Sequence, residues 1–226
     1  MVIKITSPSR VFLSGPLTMF ANKETGDIDP TVVRTVKAMI KVLRRQGHQV
    51  FSAHELEQWG KATKGLTIPQ IMKRDFAAIN AAEYVFILPN WNGEYSMGTA
   101  MLEMGPIGAR LDALDPKYRR TRTGERLIPP KGIIYLHHKG AKEEAYFKYI
   151  ITKLRAAHPK HFEYLEFEKP SDLVRIVRER APPISKTRKT LGKLRLAASR
   201  AILKGRNVRF PGGAKYFTSK PRRRPI

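Results

Sequence analysis

Short apolar runs alternate with longer stretches whose apolar positions recur every three or four residues. The first run, 11–13, follows Lys4-Ile5 and stops at the turn Ser14-Gly15-Pro16. Val32, Val33, Val36, Met39, Ile40 and Leu43 then keep helical spacing. Asp29 stands at the N-cap of that helix, Pro30 at its first position, and Arg44-Arg45 and Gly47 at its end. A second strand is predicted over 48–52. A helix over 67–82 carries the stripe Ile68, Ile71, Met72, Phe76 and Ile79, with Thr67 as its cap and Pro69 in its first turn. The run 84–88 predicts a third strand and 99–111 a third helix. Residues 112–130 are polar, basic and bounded by proline, and read as an exposed insertion. Strand 132–137, helix 143–157, strand 162–167 and helix 170–180 complete the series, with Ser171 as a possible cap for the last helix.

Strands that alternate with helices predict a parallel sheet with right-handed crossovers and helices on both faces. Five strands in this rhythm predict a doubly wound α/β fold, flavodoxin- or Rossmann-like, in the order 2-1-3-4-5. Ligands in such sheets lie beyond the carboxyl ends of the strands. Two of those ends, 14–16 and 89–96, are expected to face one crevice.

Charge adds a division of the chain. The formal charge is +24, from 43 bases and 19 acids. Residues 183–226 hold 14 of those bases and no acid, leaving 29 bases against 19 acids in 1–182. An α/β domain over 1–182 and a basic tail over 183–226 are therefore expected. A tail of this charge implies a polyanionic partner, most simply DNA or RNA. Lys186, Arg188, Lys189, Lys193, Arg195, Arg200 and Lys204 fall where a basic helix can form. Arg206, Arg209, Arg222, Arg223 and Arg224 follow, with Phe210, Tyr216 and Phe217 among them for stacking on unpaired bases. No cysteine occurs, no apolar run approaches about 18 residues, and the N-terminus lacks the pattern of a signal peptide. The expectation is an intracellular, cytoplasmic protein with no membrane partner.

The segment 84–105 carries the most chemistry. Its apolar strand runs into a polar loop that holds Trp91, Asn92, Glu94, Tyr95 and Ser96. Gly98-Thr99 then opens a helix with Glu103 one turn in. Trp91 and Tyr95 suit stacking on a ring, and Gly98 permits close backbone approach. Met101, Leu102, Met104 and Ile107 surround Glu103 with apolar side chains. A carboxylate in such a place can act as a nucleophile or a base. Asp75 follows Arg74 on the helix before this strand. It reads either as a solvated ion pair or as a group that hydrogen-bonds a base or protonates a leaving group. The turn at Gly15-Pro16 can set backbone N–H groups and Ser14 against a sugar or phosphate. It matches neither the Walker loop nor the GxGxxG fingerprint, and no Gly-x-Ser-x-Gly elbow occurs. The six histidines lack metal-ligand spacing; no metal and no cofactor are expected. Neighbours His137 and His138 should point to opposite faces of their strand.

Three of these motifs, in order, resemble the nucleoside 2-deoxyribosyltransferase-like superfamily. They are Val11-Phe12-Leu13-Ser14-Gly15-Pro16, then Arg74-Asp75 with Ala82-Glu83-Tyr84-Val85-Phe86-Ile87-Leu88-Pro89, then Trp91, Ser96, Gly98-Thr99 and Glu103. The resemblance covers residues 10–110 in motifs and extends to about 180 in strand order. It implies cleavage or transfer at the N-glycosidic bond of a 2'-deoxynucleoside or nucleotide. On this comparison Glu103 is the nucleophile, and Asp75 contacts the base or assists its departure. Ser14, Gly15, Pro16, Asn92, Ser96, Gly98 and Thr99 line the sugar or phosphate subsite, with Trp91 and Tyr95 around the base. Glu94 is the alternative carboxylate. The family's sites are often completed by a neighbouring subunit, which implies a homo-oligomer. This chain departs from the family in its longer Gly98-to-Glu103 spacing, in Pro106 and in the insertion 112–130. Those departures motivate an alternative: a catalytically inactive fold that serves nucleic-acid binding or assembly through its tail.

Overall fold

The computed structural model describes residues 2–15, 28–56, 67–88, 97–119, 127–141, 145–185 and 190; at 53, 56, 68–69, 71–74, 97–103 and 145–147 it describes the backbone alone. The strands are β1 (Arg10–Ser14), β2 (Gln49–Ser52), β3 (Tyr84–Ile87), β4 (Gly132–His138) and β5 (Phe162–Phe167). The helices are α1 (Pro30–Arg45), α2 (Ala53–Leu56), α3 (Ile68–Ala81), α4 (Met97–Asp112), α5 (Ala145–Ala157) and α6 (Pro170–Arg180). All five strands pair in parallel in the order β2-β1-β3-β4-β5, which is the expected doubly wound sheet.

Alternation along the strands sends side chains to two cores. Val11 and Leu13 join Val32, Val36, Met39, Ile40 and Leu43 of α1 and Leu173, Ile176 and Val177 of α6. Phe12, Val85 and Ile87 face the other way, against Ala78 and Ile79 of α3, Ile107 and Leu111 of α4 and Ile151 of α5. Each large side chain so buried contributes about 1.5–3 kcal/mol. The helix ends follow local chemistry. Asp29 Oδ1 accepts from Thr31 N at 2.6 Å at the start of α1. Its end closes through Gly47, whose φ of 92° lies in the left-handed region, while His48 N donates to Leu43 O at 3.1 Å. Gln70 Oε1 accepts from Thr67 N at 2.8 Å at the start of α3.

Some boundaries differ from expectation. α4 begins at Met97 rather than at Thr99, so Gly98, Thr99 and Glu103 all belong to one helix. Pro106 sits inside it, and the helix continues to Asp112. α2, only four residues long, has no counterpart in the sequence reading. In the insertion, 115–119 is exposed around a short 3-10 turn at Pro116–Tyr118.

The amino end of the sheet is tied by charge. Glu163 on β5 accepts from Arg180 on α6 at 2.9 and 3.1 Å and from Ile3 N at 3.1 Å. Arg180 O in turn accepts from Ile5 N at 2.7 Å, which docks the segment before β1. Glu83 accepts from Arg10 N at 3.0 Å and meets Lys131 Nζ at 2.6 Å. Burial alone would raise the Glu83 carboxyl, but hydrogen bonds from Lys131 and the Arg10 backbone together hold it below the usual range.

Candidate functional site

β1 and β3 are neighbours, with Ser14 in register with Ile87 and Leu88 N donating to Ser14 O at 3.3 Å. Their carboxyl ends therefore open side by side. Ser14 is fully buried there. A β-carbon on Gly15 would stand 2.9 Å from His54 Cε1 and 3.4 Å from Leu88 O. Only glycine fits this turn without displacing the imidazole. His54 follows the carboxyl end of β2, is fully buried, and has its Nδ1 3.4 Å from Ser52 Oγ. Burial lowers its pKa to about 4, so the ring is neutral at pH 7. The sequence reading passed over this histidine. Its position just beyond the second strand was the available signal, because that point lies on the same rim.

Asp75 is buried, at 6% exposure. This corrects its reading as a solvated partner of Arg74. Asp75 instead heads the stripe Asp75, Ala78, Ile79 and Ala82, whose apolar members pack on the sheet beside Phe12. α3 ends at the start of β3, so it descends from the carboxyl ends toward the amino ends. Seven residues before Ala82, Asp75 stands about 10 Å higher along the helix. Ile87 is about 10 Å above Tyr84 along β3. Asp75 thus lies near the level of Ile87 and Ser14, at the mouth of the sheet.

α4 descends beside α3 in the same direction. Arg110 fixes the two together, and it too was missed in the sequence. It is almost fully buried and donates to Ile79 O and Ala82 O, both at 2.5 Å, and to Ile128 O at 2.8 Å. Burial lowers its pKa to about 10, with a smaller push from Arg10. The clue was its spacing: Arg110 falls on the same side of the helix as Ile107 and Leu111. Position 103 precedes Ile107 by one turn and Arg110 by nearly two, about 10 Å higher on α4. The helix positions of Glu103 and Asp75 are therefore at about the same height on parallel, adjacent helices.

Gly98 and Thr99 lie on the first turn of α4, Thr99 one turn before Glu103. The side chains of Thr99 and Glu103 are outside the described residues, as are Pro16, Trp91, Asn92, Glu94, Tyr95 and Ser96. The tail from 186 on is also outside them, apart from Thr190. His137 and His138 do diverge: His137 stacks on Tyr164 at 5.5 Å, and His138 meets Phe167 edge-on at 5.2 Å. Among the described residues no three His, Asp or Glu side chains form a group that could hold a metal. No helix there is long and apolar enough to cross a membrane.

No family model and no curated protein matches this chain. Among solved structures, the chain is similar to the solution structure of BlsM, with a TM-score of 0.50 and 17% identity over 78% of this chain and 91% of BlsM. It also matches the crystal structure of a conserved protein from Enterococcus faecalis V583, with a TM-score of 0.42 and 9% identity over 77% and 99% of the two chains. At these identities the likeness to BlsM speaks for the α/β doubly wound fold alone.

Proposed function

We propose that the protein cleaves or transfers at the N-glycosidic bond of a 2'-deoxynucleoside or nucleotide, with Glu103 as nucleophile. The observation that carries this reading is Asp75: a carboxyl group buried at the mouth of the β1–β3 sheet, level with position 103 on the neighbouring helix. In the reaction, a Glu103 oxygen bonds to C1' as the bond from C1' to the base nitrogen breaks. The base leaves with the bonding pair, and Asp75 hydrogen-bonds it or delivers its proton. Water or a second base then attacks C1' of the glycosyl ester and frees Glu103, which retains the configuration over two displacements. Ser14, Gly15 and the first turn of α4 at Gly98-Thr99 are suited to the sugar or phosphate. The neutral His54 ring backs the Gly15 turn. The missed histidine is thereby added to the lining of the crevice.

The test is release or exchange of free base from deoxynucleosides and their 5'-monophosphates. Wild type should release base, and Glu103→Gln should not. Equal behaviour of the two on every substrate would refute the assignment. A second reading rests on the 14 bases of 183–226. There the fold binds nucleic acid or assembles without catalysis, and wild type releases no base while still binding DNA or RNA.

A further inference from the structure

α5 and α6 both turn charged residues to solvent, with opposite results. On α6, Arg175 is matched by Glu179 at 2.9 Å and by Asp172 at 3.6 Å. α5 carries Lys148, Lys153 and Arg155 and no acid, and Lys160 follows three residues beyond its end. All four are exposed, and among the described residues none of them meets a carboxylate. Two of them lie on rings instead. Lys153 Nζ is 5.3 Å from the centre of the Tyr149 ring, and the Arg155 guanidinium is 5.9 Å from that of Tyr164 on β5. Tyr149 is 59% exposed, the most of any large hydrophobic side chain among the described residues. It stands about 160° around the helix from the buried Ile151, so it faces away from the sheet. A single exposed tyrosine is ordinary on a protein surface. What marks this one is the set of cations around it, with Lys148 next in the chain and Lys153 one turn on.

We propose that the outer face of α5 binds single-stranded nucleic acid, with Tyr149 stacking on a base and Lys148, Lys153 and Lys160 holding phosphates around it. One ligand answers both features of the face: its phosphates suit cations that no acid neutralises, and its bases suit an open aromatic ring. An acidic protein answers only the first. A duplex also answers only the first, because its bases are stacked on one another. The inference rests neither on catalysis at Glu103 nor on the tail 183–226. α5 packs against β5, the edge strand, which lies three strands from β1 in the sheet. A strand bound there leaves the crevice between β1 and β3 uncovered.

The experiment uses the full chain and a labelled single-stranded DNA of about 25 nucleotides, titrated by fluorescence anisotropy between about 50 and 200 mM salt. Tyr149→Ala should weaken binding about five-fold or more. The slope of log affinity against log salt should not change in that variant, because stacking releases no counterions. Tyr149→Phe should bind like wild type. Replacing Lys148, Lys153 and Lys160 together by Ala should reduce the slope by about 2, the sum for three phosphate contacts on a single strand. On a duplex of the same sequence, Tyr149→Ala should match wild type. Wild-type affinity in Tyr149→Ala, the wild-type slope in the lysine variant, an equal loss on the duplex, or no single-strand binding by wild type would each overturn the proposal. Base release from free deoxynucleosides should be the same in all three variants as in wild type. Failure of the catalytic reading silences wild type too, so it is told apart from failure of the α5 surface.

Discussion

The two ends of the sheet bury different kinds of polar group. At the amino end, Glu163 meets Arg180, Glu83 meets Lys131 and the Arg10 backbone, and Arg110 fills three backbone carbonyls. Charge there is met at close range, and the groups it joins are the ends of elements. At the carboxyl end, a serine, a neutral histidine and an aspartate are buried around a glycine that has no room for a side chain. The first arrangement fixes helices on strands. The second gathers buried polar groups at the end of the sheet where open α/β folds bind ligands. Stability and chemistry should therefore separate along the strand axis.

That separation has measurable consequences. Glu103→Gln should lower base release by about a thousand-fold or more, as loss of a nucleophile does, and leave the urea midpoint nearly unchanged. Glu163→Ala at the other end should do the reverse. It strands the Arg180 guanidinium in the interior and should cost about 3–5 kcal/mol in urea unfolding, with kcat per folded molecule preserved. A large kcat loss in that variant would contradict the division between the ends.

Acid offers an intermediate probe. His54 has a folded pKa of about 4, below its ordinary 6.5, so only the unfolded chain takes up a proton between those values. Its contribution is complete above about pH 6.5, declines as pH falls, and bottoms out below about pH 4. The full loss is about 3 kcal/mol. Comparing stability at pH 7 and pH 4 should show a smaller drop in His54→Phe than in wild type. The smallest effect concerns the turn itself. Gly15→Ala drives a methyl against the His54 ring and should cost about 1–3 kcal/mol. Adding His54→Ala should recover part of that loss, a coupling that a double-mutant cycle detects.

Much of the framework was legible before any coordinates. Continuous apolar runs at 84–88 and 132–137 are the mark of strands covered on both faces, and the sheet order follows from crossover handedness. The failures have local causes. α2 is too short to show a period. Asp75 is a charged residue in a helix whose burial depends on the sheet beneath it, which no sequence window contains. Ile3 and Ile5 are buried without belonging to a strand, because Arg180 O, far along the chain, receives the Ile5 N–H. Arg110 broke the binary pattern of α4, since a charged residue on an apolar face is satisfied here by carbonyls that no sequence window contains.

Those carbonyls distinguish the α3–α4 junction in a further respect. An ion pair loses its acceptor when one side chain is replaced. The oxygens of Ile79, Ala82 and Ile128 belong to the backbone, and no substitution removes them. In Glu163→Ala, the β5–α6 edge should loosen while α3 and α4 stay joined. A partly unfolded form reached that way would retain the two helices of Asp75 and Glu103 as a single unit. Hydrogen exchange along those helices should then be the last to rise.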